Sequence, residues 1–188
     1  MPEVVVLRWG HRPTRDPRLT THVALTARAL GASGIIISDI DDAKIKATVE
    51  KITKRWGGSF FFEMGTPWRR AVNYWRAKGG VVVHLTVYGE NIQTSNVLQR
   101  IKSSAKDIMV IVGSQKVPAA FFSGDVSDFN VAVGSQPHSE CASLAVFLDR
   151  LFEGGELARR YEGARMRVFP QKRGKKIVNM RSVVDKEI

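Results

Sequence analysis

An α/β fold, a mostly parallel sheet with helices on both faces, is what the sequence predicts, and three observations predict it. Short apolar runs that do not alternate with polar residues, such as Val4–Leu7, Val81–Val87, Ile108–Val112 and Phe129–Val133, read as strands buried on two faces. Segments with helical periodicity lie between them, so strand and helix take turns along the chain. Two of the strands, moreover, break into the same tripeptide, Gly-Ser-Gln, at Gly113 and again at Gly134. Glycine removes the Cβ that would block a sharp turn or the approach of a ligand. Two such turns at the carboxyl ends of neighbouring parallel strands form the crevice where open α/β sheets bind small molecules. Taken singly, each is also ordinary punctuation between a strand and the next element.

In chain order, Val4–Leu7 is the first strand, and it runs into a loop, 8–18, with Arg8, Arg12, Arg15 and Arg18 and two prolines. The prolines argue against regular structure, and the guanidinium forks suit a phosphate or a ribose. A solvated basic loop is the alternative reading. Thr20 or Thr21 is expected to cap a helix through Leu30, with Val23, Ala27 and Leu30 on one face and Gly31 as its stop. Gly34–Ser38 is the second strand. The acidic turn Asp39, Asp41, Asp42 favours the N-terminus of a helix over 44–56, and no histidine or further acid is spaced to complete a metal site. No metal is expected.

The third strand is predicted at Phe60–Glu63, followed by a helix over 68–78 that Pro67 opens and Gly79-Gly80 ends. Its Trp68, Val72 and Trp75 fall on one face as a core stripe, with Arg69, Arg70 and Arg76 outside; aromatics interleaved with arginines can also grip nucleic acid. The fourth strand, Val81–Val87, meets a third glycine-bearing turn at Tyr88-Gly89, and a helix over 92–104 leads to the fifth strand. After the sixth, Pro137 and Ser139 sit where a helix N-terminus wants them, and an apolar helix runs on past Leu148. The first-strand turn lacks the G-x-G-x-x-G signature, which argues against a dinucleotide fold.

The end of the chain differs in character. Arg165–Pro170 and Lys175–Met180 flank a glycine-bearing turn and read as a hairpin. From Arg159 onward ten Lys or Arg stand against three Asp or Glu, so +7 of the chain's +11 lies there. The expected division is a domain over 1–158 and a basic extension over 159–188, in which Lys172, Arg173, Lys175 and Lys176 are candidates to grip a phosphate backbone. The extension could instead be an arm that touches another subunit. A pI near 10.2 points to a polyanion or an anionic membrane as partner. No apolar run reaches spanning length and the first residues lack the order of a signal peptide, so a cytoplasmic protein is expected. The single cysteine, Cys141, reads as a structural thiol.

The segments LRWGHRPTRDPRLTTHVALTARALGA, HLTVYGE, VGSQKVP and FNVAVGSQPHSECASLAVFLDRL together resemble the archaeal tRNA cytidine 2′-O-methyltransferases of the SPOUT class, over nearly the whole chain. The resemblance implies a sheet whose C-terminal part is threaded into a trefoil knot. It implies a homodimer, a tRNA substrate methylated on a ribose hydroxyl of the T-loop, and S-adenosylmethionine held in the knot's loops. The implied cofactor site is Leu85; Gly113, Ser114, Gln115, Lys116 and Val117; and Val131, Ala132, Val133, Gly134, Ser135, Gln136, Pro137 and His138. Related ribose methyltransferases carry a glutamate where Gln115 stands and a helical arginine where the best match is Leu25. The arginine's role is therefore assigned to Arg18, at the end of the loop. Asn130 matches an asparagine of the third motif, and His22, one turn from Arg18, is a second candidate for proton transfer; it is equally a packing histidine. Rival readings are a related enzyme acting on another RNA nucleotide and a non-catalytic RNA-binding module.

Overall fold

The computed structural model describes residues 2–180. Six strands form one parallel sheet: β1 (Val4–Trp9), β2 (Gly34–Ile37), β3 (Phe61–Met64), β4 (Val81–Asn91), β5 (Ile108–Gly113) and β6 (Phe129–Ala132), in the spatial order β3-β2-β1-β5-β4-β6. The pairing registers Val5↔Gly34, Val4↔Ile108, Val81↔Ile108 and Val83↔Phe129 are all parallel. Four helices connect strands of the sheet, α1 (Pro17–Ala29), α2 (Ala43–Trp56), α3 (Trp68–Ala77) and α4 (Val97–Ser103), and α5 (Glu140–Phe152) follows the last strand.

Alternation along each strand sends side chains to two separate cores. Val4, Val6, Ile35, Ile37, Ile108 and Val110 pack with buried residues of α1, α2, α4 and α5. Val5, Leu7, Ile36, Val82, Met109 and Ile111 pack with Ala71 and Val72 of α3 and with Phe121 from a 3₁₀ turn at Ala119–Phe122. Helices therefore lie on both faces, and each fully buried Val, Leu or Ile contributes roughly 1.5–3 kcal/mol relative to exposure. Trp68 and Trp75 are partly buried against the second core, which fits the packing stripe expected of α3.

Boundaries of three elements differ from expectation for a local reason. The first helix starts at Pro17, not at a threonine cap, because a proline suits the first helical position and Asp16 precedes it as N-cap. Thr20 is instead fully buried, its Oγ1 2.8 Å from Nδ1 of His11. Arg18 thus belongs to the first turn of a helix and does not end a loop. The fourth strand does not stop at Val87. Leu85 and Glu90 both face Val131, so residues 86–89 bulge out and the strand resumes through Asn91. A Cβ on Gly89 would lie 2.4 Å from the carbonyl carbon of Asn130, so the bulge can approach β6 only with glycine there. The next helix begins at Val97, five residues later than Ile92, because the Asn91 side chain accepts from the backbone N–H groups of Gln93 and Thr94 and holds a turn.

The expected hairpin is present as an antiparallel pair, β7 (Met166–Phe169) and β8 (Lys176–Asn179), with Met166 opposite Asn179. It is tied to the end of α2: Gly58 N–H donates to Glu162 C=O at 2.7 Å, and Arg165 N–H to Arg55 C=O at 3.1 Å. A Cβ on Gly57, whose φ is +80°, would lie 2.5 Å from the Glu162 carbonyl oxygen. Residues 181–188 of the expected extension lie outside the described residues.

Candidate functional site

A cavity of about 550 Å³ opens at the carboxyl ends of β4, β5 and β6. The bulge of β4 supplies Thr86, Val87 and Tyr88 to one wall, the end of β5 and the segment after it supply Gly113, Gln115, Lys116 and Val117, and Val133, His138, Glu140 and Ser143 close it from the α5 side. Gly113 and Gly134 permit the two turns in different ways. At Gly113 a Cβ would stand 2.3 Å from Val117 Cγ1, and at Gly134 φ is +75°.

Of the residues expected around a cofactor, Leu85, Gly113, Gln115, Lys116, Val117, Val133 and His138 line this cavity. Val131 and Ala132 are buried in the strand instead, at 0% and 2% exposure. Gly134, Ser135, Gln136 and Pro137 follow the strand as the segment that leads to α5, outside the lining. Ser114 turns away: its hydroxyl donates to the carbonyl of Gly10, which ties the ends of β1 and β5 together. His138 donates from Nε2 to the Val133 carbonyl at 2.6 Å, closing the loop between β6 and α5. The Ser139 side chain then caps α5 by accepting from Ala142 N–H at 3.2 Å.

His84 was not singled out by its sequence and is one of the residues that line the cavity. It is 1% exposed, and its Nδ1 lies 2.9 Å from Oδ1 of Asn130. Because the Asn130 amide nitrogen donates to Phe122 C=O at 3.2 Å, its oxygen faces His84, and Nδ1 carries the proton. Phe121 and Phe122 meet the imidazole edge to face at 5.6 and 5.0 Å. Burial pushes its pKa below the ordinary value, against the opposing pull of hydrogen bonds to Asn130 and to the Phe121 backbone, so the ring is neutral near pH 7. A histidine inside the apolar run 81–87 was the one available signal.

Behind the opposite wall lies Arg8. Its side chain is 0% exposed, and Nη1 donates to Glu140 Oε1 at 3.2 Å. The expectation that Arg8 contacts RNA is therefore incorrect: β1 continues through Trp9 and carries this guanidinium into the interior. Arg12 is engaged by both carboxylate oxygens of Asp16, at 2.8 and 2.9 Å. That pair holds the Asp16 carboxyl below its usual range. Arg15 is exposed.

Arg18 and His22 line a different depression, of about 290 Å³, between α1 and α2 with Lys44 and Thr48. They do not meet Asn130 or the cavity within one chain. Asp42 caps α2 by accepting from Lys44 and Ile45 N–H groups, and among the described residues no group of three His, Cys, Asp or Glu is placed to hold a metal ion. Cys141 is half-buried, and burial raises its thiol pKa. No helix among the described residues is long and apolar enough to cross a membrane. Lys172, Arg173, Lys175 and Lys176 are all exposed at the tip and start of the hairpin strands.

Residues 56–178 match the model of a family described as tRNA ribose 2′-O-methyltransferase, aTrm56. The chain is 49% identical over 187 residues to the tRNA (cytidine(56)-2′-O)-methyltransferase of Pyrococcus horikoshii, covering 98% of this chain and 89% of that protein. It is 52% identical over 176 residues to the protein of that name from Methanopyrus kandleri, covering 94% and 96%. Among solved structures the fold is similar to the SpoU methyltransferase AviRb from Streptomyces viridochromogenes in complex with AdoMet, with TM-score 0.55 and 14% identity over 81% of this chain. This chain spans 57% of AviRb's length. It is similar also to the A. aeolicus TrmH/SpoU tRNA modifying enzyme, with TM-score 0.57 and 12% identity, covering 85% of this chain and 80% of that one.

Proposed function

The chain belongs to the tRNA ribose 2′-O-methyltransferase family, and from that premise we propose that it methylates the 2′-hydroxyl of cytidine 56 in tRNA, with S-adenosylmethionine as donor. The observation that carries this reading is the cavity at the ends of β4, β5 and β6, all three of which fall inside the matched residues. Its volume is that of a small-molecule site, and its walls offer what a nucleoside donor needs. Leu85, Val112, Val117 and Val133 give apolar surface for a purine, the loop backbone gives hydrogen-bonding groups, and Glu140 gives one negative charge toward a cationic ligand. The donor, when bound, supplies an activated methyl group, so the protein's main work is alignment of a weak nucleophile.

Arg18 contacts the ribose or its phosphate and lowers the cost of developing oxyanion charge. His22 beside it is the candidate base, a contribution of about 10²- to 10⁴-fold. Asn130 orients the hydroxyl: its amide makes one bond at each end, to His84 and to the Phe122 carbonyl, and each end keeps capacity for one more. Because Arg18 and His22 lie in a depression apart from the cavity, this assignment requires a homodimer in which one copy brings them to the other's cavity. The knot implied by the resemblance belongs to the same reading, as does a cytoplasmic setting where tRNA is processed. The exposed lysines and arginines of the hairpin grip the tRNA backbone.

The deciding experiment is digestion of an unmodified tRNA transcript after incubation with enzyme and labelled donor. Label in 2′-O-methylcytidine at position 56 is expected; label in a base, or at another nucleotide, rejects the substrate. Homodimer and shared site are read by mixing Arg18→Ala with a cavity-blocked Leu85→Trp variant. Recovery of turnover from two inactive proteins is expected, and none rejects the shared site. Neutralising Lys172, Arg173, Lys175 and Lys176 should flatten the dependence of log affinity on log salt by about one unit for each phosphate no longer neutralised. An unchanged slope reassigns the hairpin to a subunit contact.

A further inference from the structure

The structure assigns to Glu140 the recognition of positive charge on the methyl donor, with Arg8 as the positioning residue that holds it in place. This rests on the donor-cavity reading above and names the residue that gives that cavity its preference. Glu140 is the lone carboxylate among the residues that line the cavity; the other lining residues with acid–base chemistry are His84, Tyr88, Lys116 and His138. In a chain of net charge +11, a cationic ligand entering this cavity has one anionic partner in its wall.

The way Glu140 is held is the second observation. It is the first residue of α5, directly after the Ser139 cap, and its side chain retains 20% exposure. Oε1 accepts from Arg8 Nη1 at 3.2 Å, while no described residue engages Oε2. Arg8 is wholly buried, and its Nε and Nη2 have no hydrogen-bond partner. For the fold alone this is a poor bargain. A guanidinium withdrawn from water with most of its donors unmet is costly, and an apolar side chain of similar volume usually serves a core as well or better. What the pair does achieve is geometric: the carboxylate is fixed from behind by one oxygen, on a helix start that cannot swing, and the other oxygen is left for a ligand.

S-adenosylmethionine carries two positive groups, a sulfonium and an α-ammonium. Its demethylated product, S-adenosylhomocysteine, keeps only the ammonium. 5′-Methylthioadenosine, which has the same nucleoside, carries neither. Titration calorimetry of the full chain and of Glu140→Gln with these three probes therefore reads the contact directly. Glu140→Gln is expected to weaken S-adenosylmethionine by about tenfold or more and to leave methylthioadenosine within about twofold. Equal weakening of S-adenosylhomocysteine places Glu140 at the ammonium; a spared S-adenosylhomocysteine places it at the sulfonium. Either result supports the assignment.

Should Glu140→Gln bind S-adenosylmethionine as well as the unaltered chain does, or lose methylthioadenosine to the same degree, Glu140 is only structural and the inference fails. Because Glu140→Gln leaves Arg8 without its partner, the double variant Arg8→Met with Glu140→Gln is run beside it. That protein has no carboxylate in the wall and no orphaned buried guanidinium, and the same pattern across the three probes is expected of it. Failure of the unaltered chain to bind S-adenosylmethionine at all would reject the donor cavity itself, a distinct outcome.

Discussion

Among the described residues two arginines are buried, at opposite edges of the same sheet, and they are neutralised in different ways. Arg8 lies at the carboxyl edge, 0% exposed, against a single oxygen of Glu140 in the cavity wall. Arg28 lies at the amino edge, 8% exposed, in the last turn of α1. No carboxylate among the described residues pairs with it. Its Nη2 donates to the Gly57 carbonyl at the end of α2, its guanidinium stands 5.0 Å from the Tyr161 ring, and the Tyr161 hydroxyl donates back to the carbonyls of Arg28 and Ala29. Backbone carbonyls at helix C-termini are fixed partial charges that cannot serve a ligand, so Arg28 fastens the hairpin to the core. A carboxylate that still reaches the cavity can serve one. The same buried cation is thus an anchor at one edge and a support for a binding group at the other.

The sharpest way to break this comparison is Glu140→Gln alone, which leaves the wholly buried Arg8 without its partner and is expected to cost about 3 kcal/mol in urea denaturation. The double variant with Arg8→Met should recover most of that loss. Equal losses in both would mean that the unpaired charge of Arg8 is not what costs stability. Next in size, Gly57→Ala forces a side chain onto φ +80° and into the Glu162 backbone, for about 2 kcal/mol. Hydrogen exchange should then show lost protection over β7 and β8 while donor binding stays unchanged. Arg28→Lys keeps the charge but loses the planar fork and ring stacking, and about 1 kcal/mol of stability is expected to go with them. Donor affinity affected by Arg28→Lys would erase the distinction between the two edges.

The smallest effect is a slope. His84 is neutral and buried in the native state, with its pKa depressed, while in the unfolded chain it takes a proton near pH 6.5. The unfolded state therefore binds more protons as pH falls, and the stability His84 contributes is complete above about pH 7 and is lost on acidification below about 6.5. Denaturation midpoints at pH 7 and pH 5 measure it. His84→Phe should flatten the difference, and an unaltered slope would remove His84 from the account.

Strand positions, the parallel sheet and the basic hairpin were legible because they rest on local patterning: unbroken apolar runs, glycine stops and a charge imbalance. The three turns that build the cavity were legible for the same reason, although the third proved to be a bulge inside β4, visible only through its shared pairing with Val131. Arg8 and Arg18 were read as neighbours in one basic loop. In the structure one ends a strand and points inward, and the other opens a helix above a separate depression. Adjacency along the chain says nothing about which side of a sheet a residue faces once the strand boundary moves by two positions.

Periodicity, glycine placement and charge, all properties of neighbouring residues, determined the fold class, the elements and the edge of the sheet where the cavity opens. Which side chains are paired was decided by tertiary structure alone. Glu140 lies 132 residues from Arg8, and His84 lies 46 from Asn130. Such contacts exist only when parallel strands bring distant segments side by side, and the energy of a buried charge depends on that company and not on its place in the sequence.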